Sequence, residues 1–109
     1  MDISTKYIKI KENNHDKSNY IKIVFNYQLG GYNYFTYQEK PRGYYITVYP
    51  VEKNGISESF TAFTGVTECI EQVNRKSPKA EKIAAEKIPA YEKMMLDYIC
   101  NKYGYILEV

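Results

Sequence analysis

The sequence has no tryptophan, one histidine and two cysteines, and each scarcity narrows what the chain can be. With two thiols, neither a disulfide framework nor a cysteine metal knuckle is indicated. His15 stands in the polar loop Asn13-Asn14-His15-Asp16-Lys17, with no second histidine, cysteine or glutamate pair at metal-ligand spacing. It reads as a solvated loop residue, and no cofactor or metal is expected. Cys69 and Cys100 fall on helix-like apolar stripes, where a buried, unreactive thiol is the usual case. No run approaches the roughly 18 apolar residues of a membrane span, and residues 1–6 lack the apolar core of a secretion signal. The expectation is a cytoplasmic protein with no membrane partner.

Charge of one sign is also scarce. The net charge is +2, so the whole-molecule field is a weak argument for a polyanionic partner. Its distribution is less even: residues 1–53 carry +3, residues 54–72 carry −3 and residues 73–109 carry +2. With 44% hydrophobic and 26% charged residues, the chain is not of the disordered class. A length of 109 residues is that of one domain, large enough to bury about two-thirds of its unfolded surface without staples.

Tyrosine is what the chain has in surplus, with 13 of them beside 4 phenylalanines; ten of these 17 aromatics lie within residues 20–49. Residues 20–27 and 44–51 are aromatic, β-branched and alternating, which predicts two strands, and residues 6–10 predict a shorter, lysine-bearing edge strand. Residues 32–37, after Gly30-Gly31, fit either a strand or an ordered loop. Asn54-Gly55 predicts a type I′ hairpin turn into a strand over residues 57–64. From Gly65 the period changes, and Val66, Cys69, Ile70 and Val73 predict a short helix with Glu68 and Glu71 facing water. Ser77-Pro78 predicts the start of a second helix ending near Gly104, with Ala80, Ala84, Ile88, Tyr91, Met95 and Tyr98 inward and a kink or split near Pro89. The expected fold is α+β: an antiparallel sheet of four to five strands with two C-terminal helices packed on one face.

No spacing supplies an activated nucleophile, and the carboxylates read as helix-surface acids, so an enzyme is not expected. Gly30-Gly31 is followed by aromatic residues rather than a helix N-terminus, which argues for a turn rather than a phosphate cradle. The constellation that remains is aromatic and basic: Tyr27, Tyr32, Tyr34, Phe35 and Tyr37, then Lys40 and Arg42, then Tyr44 and Tyr45, with a second basic run through Arg75 and Lys76. Three uses fit it: packing of the sheet, a protein interface rich in tyrosine, or a platform on which unpaired bases stack while cations meet phosphates. The candidate partner-binding residues are Tyr32, Tyr34, Tyr37, Lys40, Arg42, Arg75 and Lys76. A homodimer is a further use of such a surface.

The stretches Gly31-Tyr32-Asn33-Tyr34-Phe35-Thr36, Arg42-Gly43-Tyr44-Tyr45, Pro50-Val51-Glu52, residues 58–65 and Arg75-Lys76-Ser77 resemble small uncharacterised proteins of phages and mobile elements of low-GC Gram-positive bacteria. The resemblance spans roughly residues 20–90. It assigns no functional residue. It implies a cytoplasmic, non-catalytic inhibitor of a host nucleic-acid-guided defence effector, of the anti-CRISPR kind, whose partner is a host protein or nucleoprotein complex; the alternative is a single-stranded nucleic-acid-binding accessory protein.

Overall fold

Alternation along two strands places the core. In β2 (Tyr20–Gln28) and β5 (Gly43–Asn54), Ile21, Ile23, Phe25, Tyr44, Ile46 and Val48 point to one face and are buried. Their neighbours Lys22, Asn26, Thr47 and Tyr49 point to the other. The computed structural model describes residues 2–60 and 65–108. β2 lies between β1 (Asp2–Glu12) and β5, antiparallel to both, and β8 (Ile106–Leu107) adds to the far end of β1. The outer edge of β5 is shared: β6 (Ser57–Phe60) pairs with residues 51–54 and β7 (Val66–Gln72) with residues 43–48. Pro50 sits in the interval between them, where its missing N–H costs no ladder bond. One helix, α1 (Pro78–Tyr103), covers the core face through Ala80, Ala84, Met95 and Ile99. No helix of the described residues is long and apolar enough to cross a membrane.

Several expectations are corrected. Among the described residues the fold is mainly sheet, 49% strand, with eight strands and a single helix rather than four to five strands and two helices. The predicted helix over residues 66–73 is the strand β7. Val66 and Ile70 satisfy a strand as well as a helix, because residues four apart share a face in either, and the bulge between Tyr44 and Tyr45 of the pairing only leaves Ile70 without an opposite residue. The open edge of β5 supplies ladder bonds that a helix here would forfeit. Cys69 therefore lies in a strand, half-buried opposite Tyr45. Pro89 does not divide α1, which runs through it; the position is exposed, so water can serve the carbonyl it leaves without a partner. Tyr98 is half exposed, and Ile99 takes the inward place expected for it.

The turn after β5 is also different in detail. Asn54 pairs with Ser57, so the two turn residues are Gly55 and Ile56. Only Gly55, at φ 64°, is left-handed, which is the type II′ pattern rather than type I′. Residues 61–64 of the expected following strand lie outside the described residues.

Candidate partner-binding surface

Between β2 and β5 the chain leaves the main sheet as a small hairpin, β3 (Gly31–Asn33) and β4 (Gln38–Lys40). Gly30 makes the exit possible. Its φ is 74°, and a Cβ there would lie 2.3 Å from the Lys40 carbonyl oxygen, so only glycine lets the two chains approach. At the tip, the Asn33 side-chain oxygen accepts hydrogen bonds from the Phe35 (2.9 Å) and Thr36 (3.2 Å) N–H groups. This Asx turn fixes the loop. Tyr37 closes it in the left-handed region at φ 56°, a strained conformation for an aromatic residue.

The tip turns its rings outward: Tyr34, Phe35 and Tyr37 are 79%, 97% and 81% exposed, and Tyr32 49%. Tyr32 and Tyr34 meet edge to face with centroids 4.9 Å apart, and with Gly31 and Lys40 they line an open groove of about 410 Å³. The tip from Gly31 to Tyr37 carries no charge.

The cations are placed nearby but are largely engaged. Lys40 donates to the Gln28 side-chain oxygen and stands 4.7 Å from the Tyr45 ring centroid. Arg42 donates from Nε to the Leu29 carbonyl (3.2 Å) and from Nη1 to the Asn74 carbonyl (3.5 Å). It ties the base of the hairpin to the loop before α1. In that loop Lys76 lies over the Tyr27 ring at 5.7 Å, while Arg75 is exposed and makes no ion pair with the described residues. A polar cleft of about 490 Å³ runs from Gly31 past Lys40 and Arg42 to Gln72 and Asn74.

All seven sequence-predicted residues thus gather at one end of the sheet, with divided roles. Tyr32, Tyr34 and Tyr37 present exposed rings, Lys40, Arg42 and Lys76 brace the end, and Arg75 is an exposed cation. Two members of the wider constellation belong to the core: Tyr44 is 1% and Tyr45 3% exposed. The Tyr44 hydroxyl donates to the Ser77 carbonyl and accepts from the Ser77 N–H, both at 3.3 Å, anchoring the start of α1. Burial, with Cys69 beside it, pushes the Tyr45 phenol up to about 12. Phe35 is the residue the site prediction omitted, although Asn33 two positions earlier is a turn signal.

A second polar cluster occupies the open face of the sheet. Glu58 accepts from the Tyr7 hydroxyl (2.5 Å) and from Lys22 (2.7 Å), and Lys22 lies between the Tyr7 and Tyr49 rings at 5.7 and 5.8 Å. The hydrogen bonds from Lys22 and Tyr7 hold the Glu58 carboxyl below its usual range. These groups serve one another. His15 is exposed in the β1–β2 loop, as expected, and its ring stacks on Tyr103 at 5.1 Å.

No family model, curated protein or solved structure matches the chain.

Proposed function

We propose that this chain is a non-catalytic binding protein that offers the β3–β4 hairpin to a protein partner. The supporting observation is the uncharged tip, whose rings are exposed (Tyr34, Phe35 and Tyr37 by 79% or more) yet held by the Asn33 turn. A fixed loop has little entropy left to lose on docking, and tyrosine supplies large contact area and hot-spot energy. A standard interface takes roughly 20–30 residues from each side, more than the tip from Gly31 to Tyr37 offers, so the proposed footprint includes the Arg75-Lys76 loop. Following the resemblance of the sequence, the partner proposed is a host nucleic-acid-guided defence effector, and the outcome of binding is its inhibition in the host cytoplasm.

Binding of single-stranded nucleic acid is the second reading, favoured by Arg75 and the polar cleft. It is the weaker one because Lys40, Arg42 and Lys76 already have partners. Capture from a lysate of a low-GC Gram-positive bacterium, with and without nuclease, separates the two. The proposal expects a protein retained after nuclease and lost with Tyr34→Ala/Phe35→Ala, whose melting temperature stays within a few degrees of the parent. Recovery of nucleic acid alone, lost on nuclease treatment, overturns it. Concentration-dependent dimerisation abolished by the same double variant also overturns it, in favour of a homodimer.

A further inference from the structure

β7 is an outer strand, and among the described residues nothing pairs with its free edge. An unpaired edge is a row of donors and acceptors ready to take another strand. α1 runs alongside it: Lys87 reaches Glu71 at 3.3 Å, and Met94, Met95 and Tyr98 lie across from Val66 and Glu68. These five residues enclose a groove of about 340 Å³. Met94 is 55% and Tyr98 50% exposed, so the helix side of the groove is apolar surface that the fold does not cover.

The pairing settles which way the β7 side chains face. Val66 and Glu68 are opposite Val48 and Ile46, which belong to the core face, so both lie on the helix side of the sheet. Glu71 on that side has Lys87. Glu68 has no cation of the described residues within ion-pair distance, and residues 54–72 contain no Lys or Arg. The groove therefore presents a strand edge, an apolar wall and one uncompensated carboxylate.

We propose that this groove binds an extended, basic peptide segment of a partner, which adds to β7 as an extra strand. Residues two apart in a strand share a face. The segment recognised thus carries an apolar residue, seated among Met94, Met95 and Tyr98, and a Lys or Arg two positions away that meets Glu68. Main-chain bonds to β7 give affinity and the two side chains give selectivity. A second copy of this chain is a poor occupant. Antiparallel β7–β7 pairing would bring two Glu68 and two Glu71 carboxylates to one seam, where like charges repel.

The test is an NMR titration of the ¹⁵N-labelled full chain with the peptide Thr-Lys-Thr-Ile-Thr-Lys-Thr, with a version carrying Glu for Lys, and with an N-methylated version. The expected result is saturable amide shifts confined to residues 66–72 and 91–98 with the basic peptide, and none with the other two. Glu68→Lys should weaken the basic peptide about tenfold, as loss of a close charge pair does, and Met94→Lys should abolish binding. Both positions are exposed, and an otherwise unchanged spectrum verifies each fold. Absence of shifts in those residues, equal binding of the acidic or N-methylated peptide, or dimerisation of the free protein through β7 each overturns the proposal.

Discussion

Asp16 ties the β1–β2 loop to the end of the chain, and its removal has a computable cost. Its carboxylate accepts from the Tyr105 hydroxyl (2.7 Å), the Asn13 amide (2.8 Å) and the Ser18 N–H (2.8 Å). Burial raises its proton affinity, but those three hydrogen bonds outweigh it and bring the carboxyl from 3.8 down to about 2. Unscreened, that lowering is worth about 2.5 kcal/mol. The loop is only half-buried, so solvent screening reduces the expectation to about 1 kcal/mol. Because the folded value lies below the unfolded one, the stabilisation is complete above about pH 4 and is lost as pH falls towards 2. Urea unfolding of the parent and Asp16→Asn between pH 7 and pH 2 reads this directly. At pH 7 the variant's midpoint should be lower by about 0.3 to 1 M, and the gap should close as the pH approaches 2. Equal midpoints at pH 7, or a gap that persists unchanged to pH 2, would refute the reasoning.

Two further substitutions probe the backbone. Gly30→Ala sets a Cβ 2.3 Å from the Lys40 carbonyl oxygen at φ 74°, and should cost about 1–3 kcal/mol. Amide resonances of residues 31–42 should move more than those of α1, and an unshifted hairpin would contradict the close approach. Pro89→Ala restores a donor for the Ala85 carbonyl within α1 and should stabilise by about 1–3 kcal/mol. Thermal unfolding by circular dichroism measures it, and a lower melting temperature would mean that the helix path depends on the proline.

Legibility followed the range of the interactions. Local signals were readable: alternation marks β2 and β5, and both helix caps lie in the sequence. Ser77 accepts the Ala80 N–H at 3.0 Å, and Gly104 adopts φ 74° with its N–H on the Cys100 carbonyl at 2.8 Å. β7 was not readable, because Val66, Ile70 and Val73 fit a helical period equally well and the deciding force is the distant edge of β5. The site was readable in part. That Tyr34 and Tyr37 are exposed while Tyr44 and Tyr45 are core depends on where β2 hands over to the hairpin, a choice made by Gly30. Bringing Arg75 and Lys76 beside Arg42 needs the end of β7 to lie against Gly43, with the Val73 N–H on the Arg42 carbonyl at 3.1 Å, and no local pattern announces it.

The central claim, that the hairpin tip is the docking element, is tested most directly by site-specific photo-crosslinking. A benzophenone amino acid replaces Phe35 in one protein and the exposed Glu81 of α1 in a control, and both are irradiated in nuclease-treated lysate of the proposed host class. The account predicts one covalent protein adduct from position 35 and none from position 81. No adduct at position 35, or the same adducts from both positions, would contradict it.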